Sequence, residues 1–150
     1  MSNGIKAYYK HGHGDSPVRV TTDREVDELI DAVLGESFEY TIAALYHEGR
    51  SLTAHGHPDH ELRVGLDADR QVGSLRYSGS VDGDDGFWYA ASGAATNDVV
   101  VYEYMGNPMH FPLDSELPIE AVRVAVKELL VTGDRPTSVT WVRWPEDLRD

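Results

Sequence analysis

The sequence predicts an α+β fold in which two helices pack on a single twisted, mainly antiparallel sheet. Two segments carry the apolar spacing and terminal residues of amphipathic helices, one in each half of the chain. Between them lies a run of short β-branched and aromatic segments separated by turn residues, which is typical of strands joined by hairpins. The order of strand, helix, several strands, helix and strand favours one sheet with both helices packed on it.

The predicted strands are short runs in which apolar residues alternate or follow one another. Ile5–Tyr9 and Val18–Val20 flank a glycine-bearing loop, His11–Pro17. The later candidates are Tyr40–Tyr46, Leu62–Leu66, a strand containing Leu75 and Tyr77, Phe87–Ala91, Val99–Tyr104 and Ser138–Arg143. Turns are expected at Glu48–Arg50 and Asp67–Arg70, with an acidic glycine loop at Asp82–Gly86.

Both helices are predicted from end signals and from apolar residues on one face. The first begins at a capping box of Thr22 and Glu25 and stops at Gly35. The second begins at Pro118, which the first turn tolerates, and stops at Gly133. The residues expected on the buried faces are Val26, Leu29, Ile30, Val33 and Leu34, then Ile119, Val122, Val126, Leu129 and Leu130.

Length and composition favour an ordinary intracellular globular protein. The 150 residues correspond to one domain, 1–150, long enough to bury about 70% of its unfolded surface. The chain has no cysteine, which excludes disulfides and thiolate sites and favours a reducing compartment. Residues 1–9 lack the basic and apolar regions of a signal peptide, and no apolar run approaches the ~20 residues of a membrane span. We therefore expect a cytoplasmic location.

Net charge is the strongest bulk signal. Thirteen Lys and Arg against 26 Asp and Glu give a net charge of -13. Such a surface repels nucleic acid and anionic membranes, so neither is an expected partner. It attracts basic protein surfaces, and that attraction accelerates encounter more than it adds affinity. The same acidity also serves solubility, and charge alone does not separate these two roles.

Two histidine clusters are the strongest argument for an enzyme. Pairs of His-x-His type can bind zinc or nickel, and a small metal-dependent hydrolase is the alternative that they support. No H-E-x-x-H pattern accompanies them, so no metal site is our main prediction. The histidines of this alternative are His11, His13, His55, His57 and His60.

No other sequence pattern indicates catalysis or a cofactor. In the acidic loop Asp82–Gly86, Gly86 stands where an EF-hand needs its third calcium ligand. The chain also lacks a G-x-S-x-G elbow, a phosphate-binding glycine loop and a dinucleotide fingerprint. The prediction is therefore a protein without catalytic residues or cofactor.

Aromatic residues beside acids indicate a protein-binding surface. Trp88 follows the acidic loop, and Tyr104 adjoins Glu103. Aromatic anchors ringed by charge are typical of protein interfaces. The contact residues that we predict on this basis are Asp82, Asp84, Asp85, Trp88, Glu103 and Tyr104.

The segment Leu117–Trp141 resembles the closing helix, Thr-Gly-x-Arg-Pro turn and Val-x-Trp strand of an immunity-protein family from bacterial polymorphic toxin systems. The positions that carry the resemblance are Pro118, Glu120, Ala121, Leu129, Thr132, Gly133, Arg135, Pro136, Val139 and Trp141. The resemblance implies an antitoxin that binds and neutralises a cognate toxin, typically of the deaminase superfamily. It also implies that the matched turn is structural, so that specificity lies elsewhere on the surface. The remaining alternative is a generic acidic adaptor that binds another protein. Nothing in the sequence indicates an oligomeric state.

Overall fold

The computed structural model describes residues 3–95 and 97–148 and confirms the predicted α+β class. Its elements are β1 (Ile5–Tyr8), β2 (Val18–Val20), α1 (Asp23–Leu34), β3 (Ile42–His47), β4 (His60–Asp67), β5 (Val72–Val81), β6 (Asp84–Ala91), β7 (Val101–Tyr104), β8 (Asn107–His110), β9 (Leu117–Pro118), α2 (Ile119–Thr132) and β10 (Thr140–Arg143). Neither α1 nor α2 is long and apolar enough to cross a membrane.

The main sheet has eight strands, and the pairs that build it are antiparallel. Its order is β10-β6-β5-β4-β3-β1-β2, and the short β9 adds to β5 beside β6. Strands β7 and β8 pair only with each other and form a separate two-stranded sheet. The segment that contains β7 was predicted as a strand, but its departure from the main sheet was not.

One face of the main sheet packs against both helices. Leu62, Val64 and Leu66 alternate along β4 and all point into this layer, as their period of two predicts. They meet the apolar stripes of α1 and α2. The buried members contributed by the helices are Val26, Leu29, Ile30, Val33, Ile119, Val122, Ala125, Val126, Leu129 and Leu130.

The opposite face is covered in part by the β7–β8 hairpin. Tyr102 from β7 is 2% exposed and lies on β4 at Gly65, where a Cβ would stand 2.6 Å from the tyrosine ring. The Tyr102 hydroxyl is 2.9 Å from Ser74 Oγ on β5. Phe111 and Trp144 extend this second apolar cluster. Only glycine at position 65 lets the hairpin approach the sheet so closely.

Both helix ends follow from local chemistry, with small departures from the prediction. Thr22 Oγ1 accepts from the amide of Glu25 at 3.1 Å, as the capping box requires. The Glu25 carboxylate bonds the amide and hydroxyl of Thr21 rather than the amide of Thr22. Helix α2 starts one residue after Pro118, which is its N-cap. It ends at Gly133, whose φ of 74° places it in the left-handed region.

The predicted loops are shorter and more ordered than expected. The sequence predicts a loop at Asp82–Gly86, but Asp84, Asp85 and Gly86 already pair in β6. Only Asp82 and Gly83 connect the strands, with φ values of 52° and 82°. Two residues with positive φ fit the tight hairpin turn that Asp-Gly favours. In the predicted loop His11–Pro17, residues 11–14 form one turn of 3₁₀ helix.

We expect Gly133→Ala to destabilise the fold by about 1–2 kcal/mol, because an L-residue is disfavoured in the left-handed conformation. The added Cβ would also stand 3.2 Å from His47 Nδ1. Denaturant unfolding monitored by circular dichroism measures the change.

Gly35→Ala is the matched control, since Gly35 also ends a helix but has a φ of -86° and room for a Cβ. We expect this variant to be neutral or stabilised by about 0.5 kcal/mol. Equal losses in both variants would contradict the role assigned to the left-handed conformation.

Candidate partner-binding surface

The cations of the described residues are largely engaged by internal acids. Arg123 bonds Asp27 and Asp31 between the two helices, at 3.0 and 2.6 Å. The other cations with an acidic partner are Lys10, Arg19, Arg24, Arg50, Arg63, Arg70, Lys127 and Arg143. Because acids outnumber bases, the surface keeps many carboxylates outside these pairs, including Asp15, Asp23, Asp69, Asp82, Asp85 and Asp98. The surplus charge is therefore displayed to solvent.

The three acids of the predicted contact loop have different surroundings. Asp82 is exposed at the turn between β5 and β6. Asp84 forms an ion pair with Arg143 on β10. Asp85 is also exposed, and alternation along β6 places it on the face opposite Asp84. Two of the three carboxylates, those of Asp82 and Asp85, are thus available to a partner without breaking an ion pair.

Trp88 lies beneath this loop rather than projecting from it. Its side chain is 7% exposed and belongs to the helix-side core. The guanidinium carbons of Arg143 and Arg135 lie 4.6 and 5.1 Å from its ring centroid. The indole therefore holds two arginines at the surface through cation–π contacts.

Glu103 and Tyr104 lie on the β7–β8 hairpin, away from the acidic loop. The amide of Glu103 donates to Oγ1 of Thr41, the residue before β3, at 3.0 Å. Tyr104 is half-buried, with the guanidinium carbon of Arg63 at 4.8 Å from its ring centroid. Tyr104 therefore packs over β4, whereas the acidic turn joins β5 to β6. The six predicted residues consequently form two groups and not one patch.

The uncovered part of the hairpin-side face holds a tyrosine surface that the sequence analysis missed. Tyr8 and Tyr46 meet edge to face with ring centroids 5.6 Å apart. The Tyr46 hydroxyl donates to Glu61 Oε2 at 2.5 Å. Burial, reinforced by the Glu61 carboxylate, raises the pKa of Tyr46, so it remains a neutral donor. A cavity of about 770 Å³ borders Tyr46, Glu61 and Phe87. Alternation along β3 predicts that Tyr46 shares a face with Ile42 and Ala44. Only the assembled sheet shows that the β7–β8 hairpin leaves this part of the face uncovered.

The two histidine clusters are not brought together. His11 and His13 lie in the 3₁₀ turn after β1, whereas His55 and His57 are exposed on the loop after β3. Among residues 3–95 and 97–148, no group of three or more His, Asp or Glu is arranged to hold a metal ion. The alternative of a metal-dependent hydrolase gains no support from this arrangement.

His60 has a structural role, since it joins the start of β4 to the end of β3 by hydrogen bonds. It is 4% exposed, and its Nδ1 lies 3.0 Å from Asp59 Oδ1. Its Nε2 accepts the backbone amide of His47 at 2.8 Å. Such a ring must be neutral at Nε2, since a proton there would face the N–H of His47. Burial accordingly lowers the pKa of His60, and it also lowers the pKa of His13.

The turn after α2 is structural, as the sequence analysis proposed. The Trp141 Nε1–H donates to the carbonyl of Pro136 at 2.6 Å, and the half-buried indole packs on the core. Glu128 accepts from the amide and hydroxyl of Thr137 at 2.7 and 2.6 Å. Arg50 Nη1 donates to the carbonyl of Gly133 at 3.2 Å. These bonds leave the turn little freedom to act as a variable contact surface.

We expect the free energy of unfolding to fall as the pH drops from about 7.5 to about 5. His60 and His13 have lowered pKa values in the folded protein, whereas in the unfolded chain they bind protons near pH 6.5, so acid favours the unfolded chain. Each such proton contributes at most about 1.4 kcal/mol per pH unit. The variant His60→Gln should flatten the slope, whatever its stability at neutral pH.

Urea unfolding at a series of pH values measures these slopes. The matched control is His55→Gln, which changes an exposed histidine of the same sheet end and should keep the wild-type slope. An unchanged slope in H60Q would show that His60 does not couple folding to pH.

Comparison with known proteins adds one finding to this geometry. The family described as Immunity protein Imm1 matches residues 14–143. The match therefore runs from the 3₁₀ turn to the end of β10 and includes the turn after α2. A search of curated proteins gave no match.

Proposed function

Because the chain belongs to the Imm1 family of immunity proteins, we propose that it binds a cognate toxin of a polymorphic toxin system and neutralises it. The family match over residues 14–143 is the observation that carries this proposal. The toxin class that we propose is a nucleic-acid deaminase, on the strength of the resemblance in the closing helix and turn. In this proposal the protein acts by binding, as a cytoplasmic single domain without a cofactor.

The charge distribution supports the mechanism that we propose. An enzyme that acts on DNA or RNA needs basic residues to hold the phosphates of its substrate. The net charge of -13 and the internal pairing of most cations leave a surface with a surplus of carboxylates. Such a surface is attracted to a basic substrate groove, where it blocks substrate access by volume and by charge.

The six contact residues predicted from the sequence have different roles in this proposal. Asp82, Asp85 and Glu103 supply unpaired carboxylates that accelerate encounter with the toxin. Asp84 is held by Arg143, and Trp88 supports that arginine from beneath. Tyr104 adds a half-buried aromatic ring next to Glu103.

The decisive experiment is co-expression with the toxin domain encoded by the gene next to the one for this protein. We expect a stable one-to-one complex on size exclusion and complete loss of toxin activity at equimolar protein. Deaminase activity of the free toxin on single-stranded and double-stranded DNA and on RNA tests the proposed class. Absence of a complex would overturn the proposal, and a nuclease in place of a deaminase would overturn only the class.

Charge removal at the acidic turn is a second test. We expect the triple variant Asp82→Asn, Asp84→Asn, Asp85→Asn to associate with the toxin about fivefold more slowly at low ionic strength, because steering depends on local charge. The salt dependence of the association rate should flatten in parallel. Stopped-flow mixing at several salt concentrations measures both.

A control triple removes the same formal charge from exposed positions outside the acidic turn. We choose Asp15→Asn, Asp23→Asn and Asp98→Asn, since all three residues are exposed and lie outside the ion pairs of the described residues. This variant should associate at close to the wild-type rate. If both triples were slowed equally, net charge would matter but the position of the acidic turn would not.

A further inference from the structure

A cleft of about 300 Å³ opens at the end of the sheet opposite the acidic turn. Its walls come from three separate parts of the chain: the end of α1, the β4–β5 connection and β7. Val33, Leu34, Leu66 and Val101 supply apolar surface. Phe38 lies at its rim with 54% of its side chain exposed. We refer to this feature as the Phe38 cleft.

The backbone around the Phe38 cleft is held in place before any partner binds. The Thr41 amide donates to the carbonyl of Glu103 at 3.1 Å, and the Leu66 amide donates to the carbonyl of Thr41 at 2.9 Å. Thr41 Oγ1 donates to the carbonyl of Phe38 at 2.8 Å. The hairpin, the 3₁₀ turn at 38–40 and β4 are thereby tied together. A preformed cleft loses little conformational entropy when it is filled.

An exposed phenylalanine beside a preformed apolar cleft is typical of the centre of a protein interface. Interface cores are enriched in aromatic residues and exclude water. The large side chain of Phe38 is exposed to water and belongs to neither of the apolar clusters that pack on the two faces of the sheet. Covering it would remove apolar surface from water and favour association.

The charges around the cleft define the chemistry of its occupant. Glu39 and Asp69 are exposed, and Glu103 is close by on β7. No lysine or arginine lies within ion-pair distance of these three acids in the described chain. Glu36 and Asp67 also line the cleft, but Lys10 and Arg70 engage them. An apolar cleft with an unpaired acidic rim is complementary to an apolar side chain flanked by lysine or arginine.

We propose that the Phe38 cleft is the docking site for the cognate toxin, and that it receives an apolar side chain flanked by basic residues. This inference rests on the proposed function and specifies the surface through which that function is exerted. The acidic turn at the opposite end of the sheet then attracts the toxin through its charge without being the docking site, because Trp88 is buried and Asp84 is already paired.

The test is binding of the purified toxin domain to variants of the full chain. We expect Phe38→Ala to weaken the complex at least tenfold, mainly through faster dissociation. The triple variant Glu39→Gln, Asp69→Asn, Glu103→Gln should slow association and flatten its salt dependence. Surface plasmon resonance separates the two rate constants.

Two controls make the result specific. Leu52→Ala removes an apolar side chain that is 64% exposed on the loop after β3, and it should bind like the wild type. Thermal unfolding should show that F38A is as stable as the wild type, since Phe38 lies outside both apolar clusters. Hydrogen exchange in the complex should protect residues 36–41 and 66–69.

The outcomes distinguish the surface from the function. If the wild type neutralises the toxin and F38A binds equally tightly, the cleft assignment is wrong while the proposed function stands. If F38A loses affinity and L52A does not, the docking site is established. If the wild type itself does not bind the toxin, both proposals are overturned.

Discussion

Strand β3 carries apolar side chains on both of its faces, and the rest of the architecture depends on covering both faces. Ile42, Ala43, Ala44 and Leu45 are consecutive in β3 and all at most 2% exposed. Two helices cover one face. The β7–β8 hairpin covers part of the other, and Tyr102 can lie flat on β4 because residue 65 is glycine. Burial of an antiparallel sheet on two faces therefore requires three layers from a chain of 150 residues.

This third layer also determines where a partner can bind. The hairpin is smaller than the sheet, so it leaves the tyrosine surface around Tyr46 open on one side. On its other side it forms a wall of the Phe38 cleft. Each end of the sheet holds both kinds of acid: Asp84 and Asp67 are paired with arginines, whereas Asp82, Asp85 and Asp69 lie outside the ion pairs of the described residues. Packing thus converts a uniform surplus of charge into surfaces with different chemistry.

Local patterns predicted the elements well because local forces decide them. Apolar spacing and capping residues identified both helices, and Gly133 has the left-handed conformation that its position implies. The β7–β8 hairpin was missed because its turn, Met105–Gly106, lacks the Asn or Asp that marks most two-residue turns. The Asp82–Gly83 turn did carry that mark, and its pairing could have been predicted.

The candidate site was predicted less well, because it depends on contacts between distant segments. Trp88 follows an acidic loop in sequence, which suggested an exposed anchor. Its burial depends on Arg135 and Arg143, which lie more than 45 residues further along the chain. The Phe38 cleft combines residues from α1, β4 and β7, so no single window of sequence contains it.

Trp144 has a consequence for the order in which the two faces of the sheet fold during synthesis. Its indole is 3% exposed and meets Phe111 and Tyr89 edge to face, with centroids 5.2 and 6.3 Å apart. The buried members of the helix-side core all precede residue 131, so that core can assemble first on the ribosome. The second cluster can close only after residue 144 has emerged, and the hairpin-side face of a nascent chain therefore stays open longer than the helix-side face.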